Sequence, residues 1–505
     1  MCGINGIYNH LIHNDSKSQV LKMNQSSSHR GPDNQGLYCD NDIILGHVRL
    51  SIIDLDSRSH QPFVSANKEI ILSFNGEIYN FLELKKELNE YHFITNSDTE
   101  VVVAAYLKWG VNFLDKLDGM FAFALWDKSK KQLLLARDKM GIKPLYYYEK
   151  NNTIVFSSEI RSLLNCDLVD RKLNSSSVQD YLQYSTVHGP NTIVEGVKLL
   201  PSGNYLLVNE HDFSINSFWD IRTRYSQKPS SQSLEEVQMD IKALFNNAVQ
   251  KRLFSDVSFG AFLSGGIDSA IITYLLKQRI PNIKAYTIAF DQDSKDLQKA
   301  RVCAKGIDVE LIEVFVPRDE KIIKQRFFDS INVIEYPSTV QMEVGILQSF
   351  IAEEMVKDGI KVAFSGEGSD ESYGSYGTFR MFSKKPDWSD VRKNLFEKQH
   401  YGNLLRGNTI FMNYGTIELR CPFFDTEFLN YTTNLQDEFL SDKGQWKRPL
   451  ADAFRGKLPD EILDQEKRAF QKGTNFKEYI EKIILEDEKI NFRNRKKLFH
   501  VICDN

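Results

Sequence analysis

Along the N-terminal part of the chain, apolar positions come in short runs broken by turn residues, a spacing that predicts strands. Asp42 to Ile53 and Glu69 to Phe74 are apolar-rich and β-compatible; Met120 to Trp126, Gln132 to Ala136, Leu145 to Tyr148 and Thr153 to Ser157 follow as successive strands. Strands separated by turns in this way predict a largely antiparallel domain. Two helices are expected over its sheet faces. Phe81, Leu84 and Leu88 recur at helical spacing after a turn at Asn75-Gly76, and Ser97 with Glu100 fits a capping box opening the second helix.

A polar stretch from Arg222 to Ser233, containing Lys228-Pro229-Ser230-Ser231, has no apolar period and predicts a linker over residues 221–233. Beyond it the period changes. Leu234, Val237, Ile241, Leu244 and Ala248 form one helical stripe, Ser258 to Leu263 reads as a strand, and another helix starts at Ser269. Strands at Lys284 to Phe290, Val309 to Val316 and Lys361 to Phe364 alternate with helical stretches, as a parallel sheet requires. The expected organisation is an antiparallel domain over 2–220, the linker, and an α/β domain over 234–505.

Composition narrows the function classes. A chain of 505 residues with 42% hydrophobic content can fill two or three ordinary cores. The net charge of −5, with Lys and Arg scattered, predicts neither a nucleic-acid nor an anionic-membrane partner. No apolar run approaches the roughly 18 residues of a membrane span, and the N-terminus lacks the regions of a signal peptide, so the expected location is the cytoplasm. The six cysteines lie far apart without CxxC pairs, which argues against a zinc site or a disulfide framework.

One of those cysteines is placed for chemistry. The chain opens Met1-Cys2-Gly3-Ile4, and removal of Met1 would put a thiol and a free α-amino group on the same residue. A neutral amine with an ordinary pKa near 8 could take the thiol proton, making Cys2 a nucleophile that carries its own base. A second candidate is Ser264-Gly265-Gly266-Ile267-Asp268-Ser269, at a strand-to-helix junction. Its glycines allow close approach of an anion, and its hydroxyls and helix-start amides can hold phosphate oxygens. It is not a Walker A loop. It is similar to the ATP pyrophosphatase loop, which cleaves ATP between its α and β phosphates. A third, Ser365-Gly366-Glu367-Gly368-Ser369-Asp370-Glu371, follows a predicted parallel strand, where Glu367 and Asp370 could hold Mg²⁺ against a pyrophosphate.

An N-terminal Cys domain followed by an SGGxDS domain resembles the glutamine-hydrolysing asparagine synthetases over nearly the whole chain. The first half resembles that family at Cys2 to Ile4, His29 to Asp33, Gly46 to Asp54, Phe74 to Asn80 and Ser97 to Glu100. The resemblance implies an Ntn-type αββα sandwich, with glutamine on Arg49, Leu50, Ser51, Ile52, Ile53, Asn75, Gly76, Glu77 and Asp98. Arg49 would hold its α-carboxylate, Asp98 its α-amino group, and Asn75 with the Gly76 amide the oxyanion. In the second half it implies a parallel-sheet ATP pyrophosphatase domain. ATP would lie on Leu263, Ser264, Gly265, Gly266, Asp268, Ser269, Ile288, Ser365 and Gly366, with Asp268 and Asp370 as Mg²⁺ ligands and Glu367 and Lys467 as catalytic groups.

The implied reaction is activation of an acceptor carboxylate, aspartate in this family, as an acyl-adenylate, followed by attack of ammonia from the Cys2 site; a homodimer stays open. The likeness weakens where the acceptor should bind. Ile334 to Leu347 contains no cation and carries Glu343 near the arginine that bacterial members place there; Leu405 to Thr416 and Gly374-Ser375-Tyr376 also depart. Glu343 would repel an acceptor carboxylate unless it points to solvent and another cation, such as Arg420, acts in its place. An enzyme amidating a different carboxylate by the same chemistry is the alternative. Intramolecular amide closure, as in β-lactam synthetases, would not need Cys2 or the glutamine residues.

Overall fold

The computed structural model describes residues 1–9, 15–184, 186–225, 232–334, 339–375, 388–399, 403–442, 445–464, 474 and 476–485. The chain divides into two compact units, Met1–Asp220 with Phe254–Asp256, and Ile221–Leu253 with Val257–Asn505. No helix among the described residues is long and apolar enough to cross a membrane.

The first unit holds β1 (Gly3–Tyr8), β2 (Asn34–Cys39), β3 (Ile43–Arg49), β4 (Phe63–Val64), β5 (Ile70–Ile78), β6 (Gly119–Asp127), β7 (Gln132–Arg137), β8 (Tyr146–Lys150), β9 (Thr153–Ser157), β10 (Val197–Leu199), β11 (Asn204–Val208) and β12 (Phe213–Ser217). They form two antiparallel six-stranded sheets, ordered β10-β8-β9-β1-β3-β2 and β12-β11-β7-β6-β5-β4. Ile4, Leu45 and Phe156 of one sheet and Ile71, Ala122 and Leu135 of the other share one core, so the sheets stack face to face. The outer face of the second sheet is closed by the helices Phe81–Glu87 and Asp98–Trp109, through Phe81, Leu84 and Val101 to Tyr106. The helix Ser16–Ser26 covers the first sheet, where a Cβ on Gly46 would meet Val20 at 2.6 Å. The result is the expected αββα sandwich.

Three local expectations differ from what forms. The strand expected from Asp42 to Ile53 stops at Arg49, because the Arg49 guanidinium draws in the carbonyls of Ile53, Asp54 and Asp56, coiling that segment back; Asp54 sits at φ 50°. Asn75-Gly76 is no turn: β5 runs on to Ile78, with Asn75 opposite Ala122 and Gly76 opposite Phe121. The glycine answers to crowding instead, since a Cβ there would lie 2.2 Å from the Met120 carbonyl oxygen. Ser97 does cap its helix, but through the Thr99 amide; Glu100 turns back to accept from the Ile94 and Thr95 amides. The reciprocal capping box stands at Ser233 and Glu236, opening the helix Leu234–Lys251.

The second unit is built on β13 (Phe259–Phe262), β14 (Lys284–Ala289), β15 (Glu310–Phe315), β16 (Val362–Phe364) and β17 (Glu418–Arg420), all parallel, in the order β15-β14-β13-β16-β17. From β13 the chain winds outward through β14 and β15, then returns to lay β16 on the opposite side. The strand order therefore reverses between β13 and β16, and in open parallel sheets the crevice beyond that point is where ligands bind. The core packs Val237, Ile241 and Phe245 of the helix Leu234–Lys251 and Ile271 and Leu275 of the helix Ile267–Lys277 against Ala261 and Phe364 of the sheet.

Candidate functional site

In the first unit Cys2 immediately precedes β1 and is partly buried; its thiol donates to the Leu50 carbonyl at 3.7 Å. That contact ties Cys2 to the coil Leu50 to Asp56, which wraps the Arg49 guanidinium. Arg49 donates to the carbonyls of Asp56 (3.2 Å), Ile53 (3.2 Å) and Asp54 (2.6 Å), leaving its Nε and one Nη1 hydrogen for another acceptor. The Asp54 carboxylate accepts from the Asn96 amide at 2.7 Å, which brings in the segment leading to Asp98. Asp98 is buried and accepts from the Ile78 amide at 2.8 Å.

Asn75 is wholly buried, and neither atom of its side-chain amide finds a hydrogen-bond partner in the fold. An unmet buried amide costs about 1–3 kcal/mol, which a ligand oxygen accepting from Nδ2 would offset. The preceding residue, Phe74, is held at both its carbonyl and its amide. His47 of β3 donates from Nε2 to the Phe74 carbonyl at 3.0 Å, and the Gln61 side chain accepts from the Phe74 amide at 2.7 Å. Burial pushes His47 down to about 3, so the ring is neutral and its proton is available to that carbonyl. Leu50, Ile52 and Ile53 are buried, Ser51 donates its amide to Asp33 at 2.8 Å, and Glu77 is 5% exposed.

In the second unit both predicted loops emerge at the carboxyl ends of adjacent strands, Ser264 to Ser269 after β13 and Ser365 to Glu371 after β16. The first is tied to itself: Ser264 Oγ lies 3.1 Å from Ser269 Oγ, and Ser269 Oγ donates to the Gly266 carbonyl at 3.0 Å. Gly265 stands at φ 75°, where a Cβ would also meet the Asp296 carbonyl oxygen at 2.7 Å. Gly266 starts the helix Ile267–Lys277 with no side chain capping it. The loops touch: a Cβ on Gly366 would lie 3.0 Å from that of Asp268, and Ser369 Oγ donates to Asp268 Oδ1 at 2.6 Å. Leu263 and Ile288 are buried.

Lys447 closes the arrangement, and sequence reasoning missed it. Its Nζ lies 2.6 Å from both Asp268 Oδ2 and Asp370 Oδ1. Burial alone would lower the pKa of this ammonium; the two carboxylates outweigh it and raise it. Lys447 has φ 59° and precedes the helix Arg448–Ala453, an uncommon backbone state for a non-glycine residue. Lys467 lies outside the described residues, as do residues 335–338 and Tyr376.

Asp268 and Asp370, expected as metal ligands, thus converge on an ammonium, and no group of three or more His, Cys, Asp or Glu gathers as a metal site among the described residues. Two partly exposed carboxylates still suit Mg²⁺, which takes one or two protein carboxylates and completes its shell with water and phosphate oxygens.

The cation beside Glu367 is Arg406, a second residue missed. It is 4% exposed, on the helix Asn403–Gly415, and donates to Glu367 Oε1 (3.3 Å), Asn403 Oδ1 (3.0 Å), Gln348 Oε1 (3.1 Å) and Gln341 Oε1 (2.5 Å). Two particulars of the second alternative for the acceptor site, a solvent-facing Glu343 and Arg420 as its cation, differ from the structure. Glu343 does not point to solvent: it is 2% exposed, with both carboxylate oxygens buried and unpartnered. Nor does it face Arg406, since at about 100° per residue it stands on the far side of its helix from Gln341 and Gln348. Arg420 is buried against Glu418 (3.1 Å) and the Arg252 carbonyl (2.6 Å), as a core brace. A lone arginine in the apolar helix Asn403–Gly415 was the available signal for Arg406; nothing local marked Lys447.

Comparison with known proteins joins the two sites. Residues 1–219 match the glutamine amidotransferase domain family, and residues 240–399 and 383–499 match the asparagine synthase family. Asparagine synthetase [glutamine-hydrolyzing] 1 of Bacillus subtilis is 28% identical, covering 93% of this chain and 87% of that protein. Asparagine synthetase B [glutamine-hydrolyzing] of Escherichia coli is 29% identical, over 94% and 83%. Amidase chry2 of Gibberella zeae is 34% identical, over 77% of this chain and 61% of that protein.

Proposed function

The chain belongs to the asparagine synthase family, and on that premise we propose that it is a glutamine-dependent asparagine synthetase acting in the cytoplasm. It takes ammonia from glutamine and uses ATP to make an amide on aspartate, releasing AMP, pyrophosphate and glutamate. The observation that carries the reading is the bridge from Asp268 through Lys447 to Asp370, set where the strand order reverses.

In the first half-reaction Cys2, freed of Met1, gives its thiol proton to its own α-amine, and the sulfur attacks the side-chain carbonyl carbon of glutamine. The Asn75 side-chain amide and the Gly76 main-chain amide donate to the oxyanion that forms. Collapse breaks the carbon–nitrogen bond, the ammonium returns its proton to the leaving ammonia, and water hydrolyses the thioester to glutamate. Arg49 and Asp98 hold the α-carboxylate and α-ammonium groups.

In the second, the acceptor carboxylate attacks the α-phosphorus of ATP, and the bond to the β-phosphate oxygen breaks. The loop Ser264 to Ser269 holds phosphate oxygens, and Lys447 neutralises charge on the departing pyrophosphate. Asp268 and Asp370 would hold Mg²⁺ together with those oxygens, and the ion would supply further neutralisation of the leaving group. Arg406 and Glu367 orient the acceptor, and ammonia displaces AMP from the acyl-adenylate.

A second reading, amidation of another carboxylate, rests on the surroundings of Arg406, whose guanidinium is shared among the neutral side-chain carbonyls of Gln341, Gln348 and Asn403 beside Glu367. One experiment tests both. Purified protein is given ATP and ammonia with a panel of carboxylates, and AMP, pyrophosphate and amide product are measured. Aspartate giving asparagine, AMP and pyrophosphate supports the first reading; another carboxylate doing so alone supports the second. ADP and orthophosphate as products overturn both.

A further inference from the structure

The Cys2 carbonyl is held by a buried charge network with no part in the steps above. Arg30 Nε donates to the Cys2 carbonyl at 3.0 Å, and Nη1 of the same guanidinium donates to Glu159 Oε1 at 2.8 Å. Glu159 is 1% exposed and has two further neighbours: Arg161 Nε donates to Oε2 at 2.5 Å, and His29 Nε2 lies 3.0 Å from Oε1. Burial alone would raise this carboxyl; Arg161, His29 and Arg30 outweigh it and hold it well below the usual carboxylate range. Burial pushes His29 below its ordinary value, and its Nε2 lies against Arg161 Nη2 as well as against the carboxylate.

The main chain fixes Glu159 against the segment that carries Cys2. The Ile4 amide donates to Ser158 Oγ and the Ser158 amide to the Ile4 carbonyl, each at 3.0 Å, extending the pairing of β1 with β9. A guanidinium is a rigid plane, so holding it at Nη1 fixes where Nε points. The carbonyl it meets belongs to the residue whose sulfur must attack the side-chain carbonyl carbon of glutamine and whose amine must protonate the leaving nitrogen.

Resting on the reading of Cys2 as the glutamine nucleophile, we propose that Glu159 is a positioning residue for Cys2, acting through Arg30. Glu159 touches neither glutamine nor the reacting atoms. It aims the arginine that sets the plane of the Cys2 carbonyl, and so the direction in which the thiol and the amine lie. A nucleophile displaced by about 1 Å loses roughly 100-fold in rate, so the role should be visible in turnover.

The test is glutamine hydrolysis by the full chain carrying Glu159→Gln, which keeps shape and removes charge. The expected result is a fall in kcat of roughly 10- to 100-fold with KM for glutamine unchanged, because Arg49 and Asp98 hold the substrate. Alkylation of Cys2 by iodoacetamide should slow in parallel. If Glu159→Gln does not fold, Arg30→Lys carries the test: one ammonium cannot serve both the Cys2 carbonyl and Glu159, and the same split is expected. Wild-type kcat in the variant that folds, or a change confined to KM, overturns the positioning role while Cys2 remains the nucleophile. Absence of glutamine hydrolysis in the wild type overturns the Cys2 reading itself, and the positioning role with it.

Discussion

Lys447 Nζ lies 2.6 Å from Asp268 Oδ2, a contact between residues 179 positions apart that gives the loop after β13 a permanent countercharge. A glycine-rich turn can cradle phosphate through its amides, but its aspartate would repel the ligand. The ammonium offsets that repulsion and reaches Asp370 as well. Lys447→Met should therefore lower acceptor-dependent pyrophosphate release by about 100-fold or more, and removing the buried cation should cost up to about 3 kcal/mol of stability. Glutaminase activity measured on the same preparation should stay at the wild-type level; a pyrophosphate rate near wild type would remove Lys447 from the reaction.

Cys2→Ala should abolish glutamine hydrolysis and leave ammonia-driven synthesis largely intact, because the thiol belongs to the first unit and the ATP loops to the second. Glutamate release and pyrophosphate release, assayed separately, decide it. Glutaminase activity surviving in a correctly processed Cys2→Ala protein would sink the assignment.

The two halves of the proposed oxyanion site should respond differently. Asn75→Ala removes a donor bonded to nothing in the fold, so the protein should fold and kcat for glutamine should drop by about 100- to 1000-fold. Gly76→Ala would push a methyl group to 2.2 Å from the Met120 carbonyl oxygen, so lost sheet pairing and a lowered Tm of the first unit should come before any kinetic effect. Thermal melts beside glutaminase kinetics separate the cases. A stable, inactive Gly76→Ala protein would count against the crowding argument.

Glu343 makes stability depend on pH. Burial raises its carboxyl to about 7, with Lys477 pulling it down and Glu481 pushing it up. The folded state thus holds a proton that the unfolded chain gives up near the ordinary 4.5. Its contribution is fully present below that value and is lost as pH rises through 7. Glu343→Gln, neutral throughout, should melt close to wild type at pH 4.5 and above it at pH 8, by the order of 1–3 kcal/mol. Equal melting temperatures at pH 8 would show that the carboxyl is solvated or paired.

Local pattern was enough wherever the chemistry is local. The loops Ser264 to Ser269 and Ser365 to Glu371 declare themselves by glycine and hydroxyl spacing, and four of the five parallel strands by apolar runs between helical stretches. The fifth, Glu418 to Arg420, is three residues long, too short for a period. Boundaries failed where a long-range contact overrode a local signal: Asn75-Gly76 reads as a turn by composition, yet neighbouring β6 keeps it in the sheet. Arg49 was legible as a candidate binding residue, but not the coil it wraps about itself. Lys447, Arg406 and Glu159 belong to the sites only through residues far along the chain, and no window of neighbours carries that information.

On the proposed reading Gly76 supplies a donor through its main chain at a position where only glycine fits, and this limits how the protein can lose function. Every residue at that position except proline would still present the amide, so no single codon change there silences glutamine hydrolysis gently; the change would take the pairing of β5 with it. Asn75 is the opposite, a group the fold does not use. In a population supplied with abundant ammonia, where selection for the first half-reaction lapses, inactivating changes should accumulate at Cys2 and Asn75 in chains that still fold, and Gly76 should be among the last positions to drift.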